Sequence, residues 1–175
     1  QRPAEIAERR EFGHWEMDCV VGTTLDTLLN LSERVTRKEL IFKIPSKRAE
    51  NVVAVIDSLE RKYGGKFSKV FKSITVDNGG EFSDCEGLEK SKRNKEKEEQ
   101  RTKMYYCHPY SSSERATNER LNREVRRIFP KKTNFKHVTK KQVKACEDWM
   151  NNYPRQVLGF ATPNELFAEY MKNLK

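Results

Sequence analysis

Ile74-Thr75-Val76-Asp77-Asn78-Gly79-Gly80-Glu81-Phe82 runs from strand-forming residues into an acid and then straight into a turn. The apolar and β-branched residues before Asp77 predict a buried strand that stops there, because Asn-Gly-Gly does not continue one. Asp77 has two readings at this point. Its side chain initiates the turn, or it is a carboxylate held at the rim of a sheet for chemistry.

Upstream, WEMDCVVG (15–22) and TLLNLSERVTRKELIFKIP (27–45) carry the apolar content that predicts three short strands, about 15–22, 26–32 and 37–44. Arg34 to Lys38 reads as a hairpin connection. Ser46 is the candidate cap of a helix whose Val52, Val55, Ile56 and Leu59 share one face and which stops at Gly64-Gly65. Downstream, Glu89 to Lys103 is nearly all charged and reads as a solvated helix or loop. Met104 to Cys107 is a short strand. A long helix then spans about 114–128 and ends before Pro130; Thr139 caps another at about 140–152, and Pro163 opens a last one at 163–173. Strands close in sequence pair antiparallel, whereas strands separated by helices pair in parallel, so the order predicts a mixed α/β sheet.

The chain has 175 residues and 35% hydrophobic content, enough for one packed domain. Residues 1–12 read as an N-terminal arm and 13–175 as the core, with a charged insertion at about 87–103 and C-terminal helices at about 139–175. The formal net charge is +9, and a basic domain of this kind points to a polyanion, nucleic acid above all. Cys19, Cys85, Cys107 and Cys146 form no C-x-x-C pair and show no zinc spacing, so they read as reduced cysteines. No apolar run approaches a membrane span and no signal-peptide pattern opens the chain, which predicts a cytoplasmic protein without a membrane partner.

Asp18 lies inside a strand pattern, and Asp77 lies at the exit of one. Carboxylates there are costly unless a cation compensates them, and oxygen donors suit Mg2+ or Mn2+. An edge-strand charge is the plain alternative for Asp18. On the helix 114–128, Glu119, Arg123 and Arg126 share a face away from Ala116, Leu121, Val125 and Ile128, the expected core positions. This face joins a candidate metal ligand to phosphate-binding cations; a surface Glu–Arg pair is the plain alternative. Glu124 lies on the far side of that helix, and Glu114 falls in its first turn, where capping accounts for it.

Five ordered motifs carry a resemblance: GHWEMD (13–18), TVDNGGEF (75–82), PYSSSERATNERLN (109–122), FPKKTNF (129–135) and NNYPRQVLGFATPNELF (151–167). Together they resemble the catalytic core of insertion-sequence transposases of the IS thirty family, within the retroviral-integrase-like superfamily, over about residues 11–168. The resemblance implies a ribonuclease-H-like α/β fold with a five-stranded mixed sheet, its first three strands antiparallel and the others parallel, flanked by helices. It implies a DDE polynucleotidyl transferase that cleaves and joins DNA, with Asp18, Asp77 and Glu119 as catalytic acids and metal ligands. Asp18 would bridge two Mg2+ ions, replaceable by Mn2+, with Asp77 and Glu119 holding one each. No organic cofactor is implied.

The signature P-Y-x-x-x-x-R-x-x-N-E-x-x-N falls on Pro109, Tyr110, Arg115, Asn118, Glu119 and Asn122. It makes Arg115, Asn118 and Asn122, with Arg123 and Arg126, the expected DNA contacts. Partners would be element ends and target DNA, with a homo-oligomer assembled on them in the bacterial nucleoid. Ser113 and Ala116 depart from the family's usual aromatic and Gly. The Asp77–Glu119 interval is longer than usual, an excess the charged insertion explains at little entropic cost. The family's N-terminal helix-turn-helix region is absent from this sequence, which implies an excised catalytic core. A non-catalytic nucleic-acid-binding core and a nuclease that cuts without joining are the competing functions.

Overall fold

The computed structural model describes residue 6, residues 8–93, 99–107 and 116–174, with side chains described from 119 onward in the last stretch. Five strands form one sheet in the order β3-β2-β1-β4-β5. β1 (His14–Val21), β2 (Thr27–Glu33) and β3 (Glu39–Ile44) are an antiparallel meander. β4 (Ser73–Val76) joins β1 in parallel, and β5 (Lys103–Tyr106) joins β4 in parallel. The helices are α1 (Ala49–Tyr63), α2 (Phe67–Val70), α3 (Cys85–Glu89), α4 (Ala116–Ile128), α5 (Lys140–Asn152) and α6 (Pro163–Asn173). The mixed sheet expected from the spacing of strands and helices is the one present.

Side-chain alternation divides the core into two layers. Trp15, Met17, Leu29, Leu31, Ile74 and Val76 face the layer that also holds Val52, Ile56 and Leu59 of α1. Val20, Leu28 and Ile41 face the other, with Leu121 and Val125 of α4 and Val143, Cys146 and Met150 of α5. Trp15 is fully buried and satisfies its indole N–H on the Val70 carbonyl at 2.7 Å. The described part of the arm is not loose: Ile6 and Phe12 are buried, and Phe12 stacks on Tyr170 of α6.

The outer edge of β3 is closed by side chains. Asn151 of α5 accepts from the Glu39 N–H at 2.9 Å and donates to the Glu39 carbonyl at 2.8 Å. Glu147 accepts from the Ile41 N–H at 2.8 Å. These side chains stand in for a neighbouring strand and remove an open edge.

Three local expectations are corrected. Ser46 is not the helix cap: α1 starts after Arg48 without a side-chain cap, and the Ser46 carbonyl and hydroxyl instead accept from the Asn51 amide. Ile128 is 41% exposed, and Phe129 takes the core place beyond Leu121 and Val125. The charged stretch is not wholly solvated. Lys90 and Gln100 form an antiparallel bridge across its base, residues 94–98 lying outside the description. Arg101 is buried, pairing with Asp57 at 2.6 Å and Glu60 at 3.0 Å and donating to the Leu88 and Gly87 carbonyls. Composition predicts solvent for such a stretch; a satisfied guanidinium overrides it.

Candidate active site

The register of two neighbouring strands sets the site. β1 and β4 run parallel with His14 facing Ser73, Trp15 facing Ile74 and Glu16 facing Thr75. The same offset carries Asp18 onto Asp77, one at the C-terminal part of β1 and the other just past β4. Equivalent positions on adjacent parallel strands point to the same face, here the face covered by α4.

Asp18 is held from two elements. Its Oδ1 accepts from the Cys19 N–H at 2.9 Å, and its Oδ2 accepts from the Asn122 amide of α4 at 2.8 Å. Asn122 is fixed in turn, since its Oδ1 accepts from Asn30 at 2.8 Å. Asn30 is buried on β2 directly across from Asp18. The chain Asn30–Asn122–Asp18 therefore ties α4 to the sheet at the carboxylate.

Asp77 does initiate the turn: its Oδ1 accepts from the Gly79 N–H at 2.9 Å, and a 3-10 turn follows at Gly80–Phe82. Gly79 has φ −64, so left-handed backbone is not why a glycine stands there. A Cβ on it would sit 2.5 Å from Glu81 Oε2 and 2.8 Å from Asp77 Oδ1. The glycine allows two carboxylates to flank one point of backbone. Asn78 closes the turn onto the Cys107 carbonyl at 3.2 Å.

Glu81 is buried and ion-paired with the half-exposed Lys47 at 2.9 Å. That hydrogen bond raises the Lys47 pKa. Cys19 lies among these acids: burial first, then the charges of Glu81, Asp18 and Asp77, push its thiol far up. It stays protonated. Negative charge thus converges at the ends of β1 and β4, with Lys47 ion-paired at Glu81. The donor set is all hard oxygen, which fits a divalent cation such as Mg2+.

Glu119 is exposed in the first described turn of α4, three residues before Asn122. Residues at that spacing are neighbours on a helix, with Cβ atoms about 5–6 Å apart. Among the described residues, no three His, Cys, Asp or Glu side chains are gathered closely enough to cage a metal. Of the expected DNA contacts, Asn122 is turned to Asp18, whereas Arg123 is exposed. Arg126 donates to the Val21 carbonyl at 2.7 Å, at the end of β1. Arg115 and the Asn118 side chain lie outside the described residues. Sequence reasoning passed over Asn30, Lys47 and Glu81. An Asn in an otherwise apolar strand and an acid four residues after Asp77 were the available signals; nothing local marks Lys47.

No protein-family model matches the chain. It is 34% identical over 170 residues to the transposase for insertion sequence element IS4351 of Bacteroides fragilis, covering 97% of this chain and 48% of that protein. It is 33% identical over 172 residues to the InsI transposase for insertion sequence element IS30C of Escherichia coli, covering 95% of this chain and 40% of that protein. The chain therefore spans less than half the length of these curated relatives. Its fold is that of the catalytic core domain of BIV integrase, with a TM-score of 0.62 and 18% identity over 92% of this chain and 97% of that one. No helix among the described residues is long and apolar enough to cross a membrane. The chain is thus a homologue of the IS30-family insertion-sequence transposases, over a segment that has the integrase-core, ribonuclease-H-like fold.

Proposed function

We propose that this chain is a catalytic core that cuts and joins DNA strands in a divalent-metal-dependent reaction, with Asp18, Asp77 and Glu119 as its acids. The observation that carries it is the parallel register of β1 and β4, which sets Asp18 beside Asp77 on the face where Asn122 ties α4 to Asp18. Glu119, one turn earlier on α4, is the third acid. These three carboxylates would hold two Mg2+ ions, or Mn2+ in their place. When bound, such ions supply the charge that stabilises the attacking and leaving oxygens of an in-line displacement at phosphorus.

The chain's own residues do the positioning. The Cys19 N–H and the Asn122 amide orient the Asp18 carboxylate, and the Gly79 N–H orients Asp77. Lys47 neutralises Glu81, so that this further acid does not add its charge beside Asp77. In the first step, water attacks a phosphodiester at the element's end, forming a new P–O bond as the P–O3′ bond breaks and releases a 3′-hydroxyl. In the second, that hydroxyl attacks a target phosphodiester and displaces a second 3′-oxygen. No covalent protein intermediate is required. Element ends and target DNA are the substrates, a homo-oligomer on DNA the working form, and the bacterial cytoplasm its place.

Asp77→Asn and Glu119→Gln are each expected to leave folding near normal while abolishing nicking and strand transfer in Mn2+. Substantial joining activity in either variant overturns the assignment. Cutting without joining by the unaltered chain would make it a nuclease. DNA binding without either reaction, indifferent to both substitutions, would make it a binding module.

A further inference from the structure

Five arginines converge on one cavity beside α4. Arg9 of the arm, Arg37 of the β2–β3 turn, Arg120 and Arg123 of α4, and Arg155 after α5 line a space of about 250 Å³. Leu121 and Val157 supply its apolar lining, and among the described residues no carboxylate lines it. Among the described residues, Arg155 keeps its buried Nε–H without a hydrogen-bond partner, although its terminal nitrogen donates to the Met150 carbonyl at 3.1 Å.

The acids around these cations also serve other partners, and Glu39, whose charge acts on Arg155, is fully buried with its pKa raised by desolvation. Glu16 pairs with Arg34 at 3.1 Å, and Glu33 accepts from the Gly13, Val35 and Thr36 N–H groups and the Thr36 hydroxyl. Glu124 pairs with Arg127 at 2.9 Å. Burial first, and then the charge of Arg9, lower the Arg37 pKa. Bringing like charges together out of water is costly unless an anion shares the space. Guanidinium forks match phosphate oxygens in geometry as well as charge.

We propose that this cavity is a DNA-backbone site, gripping phosphates that flank the reacting one, an inference that rests on the chain acting on DNA. Arg120 lies roughly 160° around α4 from Asn122. Arg120 is thus turned away from Asp18, and Arg123, one turn after Glu119, lies between the acids and the cavity. An adjoining cavity shares Arg120 and Arg155 and is lined by Trp149 and Tyr153, which are 40% and 57% exposed. Cations beside exposed rings are the composition of a nucleic-acid path.

The test is anisotropy of a fluorescein-labelled duplex of about 30 base pairs, longer than the roughly 10 spanned by one helical turn, titrated in EDTA over a range of salt concentrations. Arg9→Gln/Arg120→Gln is expected to bind at least about tenfold more weakly and to flatten the log–log salt slope by about 0.9 for each phosphate no longer neutralised. Arg120→Gln alone, an exposed helical position, should give part of that change. Arg61→Gln/Lys62→Gln, an equal charge change on exposed α1, should shift affinity less than about twofold. Wild-type affinity and slope in the first double variant overturn the site. So does an equal weakening in both double variants, which would leave only net charge at work. Asp77→Asn separates the two ideas: it should bind duplex like the unaltered chain in EDTA whether or not it cleaves, so failure of either idea leaves the other standing.

Discussion

Asp18 accepts from its own strand and from α4, and the second hydrogen bond depends on a buried amide two elements away. Asn30 fixes which way the Asn122 amide faces, because the Asn122 oxygen accepts from it while the Asn122 nitrogen donates to Asp18. Asn122→Ala is therefore expected to lower strand transfer about 10- to 100-fold, the usual cost of losing a group that orients a metal-ligating side chain. Thermal melting of the variant should move by only a few degrees. Activity within twofold of the unaltered chain would show that Asp18 needs no such support. Asp18 and Asp77 were readable from sequence because an acid in or after an apolar strand is unusual. Asn122 was readable only as a member of a motif, and its partner gave no local sign: Asn30 lies far away in sequence and meets it only once the sheet and α4 pack.

Helix α5 does two tasks with separate residues. Val143, Cys146 and Met150 fill the core, and Glu147 and Asn151 close the sheet. Asn151→Leu keeps the volume and strips both bonds from Glu39, leaving a buried N–H and C=O unpaired; the expected loss is about 2–4 kcal/mol of unfolding free energy, read by urea denaturation. A loss below about 0.5 kcal/mol would mean that water replaces the side chain. The starts of α5 and α6 were legible because Thr139 caps the one and Pro163 opens the other, signals written in adjacent residues, and the folded helices add capping boxes at Thr139 and Thr162. The start of α1 was not. Ser46 looks like a cap, yet the chain bends at residues 45–47 and the helix starts only after an extended Arg48, and only the hydrogen bonds from Asn51 show how the serine is used. Helix caps are local chemistry, whereas edge closure and the burial of Arg101 depend on partners distant in sequence.

Across the whole molecule, buried acids between the layers make stability depend on pH. Glu39 is fully buried, and desolvation raises its pKa well above the ordinary 4.5. A group raised in the folded state adds stability that is complete below pH 4.5 and is lost as pH climbs from there toward the folded value. Glu39→Gln removes that loss. The variant should match the unaltered chain near pH 4 and exceed it at pH 8, by about 1.4 kcal/mol for each pH unit between the ordinary and folded values. A variant less stable at pH 8 would show that the carboxylate is ionised and paired there. The mixed pairing of the sheet followed from strand spacing, but the layer that each acid occupies needed the register. Side chains alternate between two faces along a strand, so a slip of β4 by one residue against β1 would turn Asp77 to the layer of Val52 and Ile56 while Asp18 stayed in place. The chemistry thus hangs on parity: loops between these strands can change length at little entropic cost, yet an odd shift within either strand silences the pair.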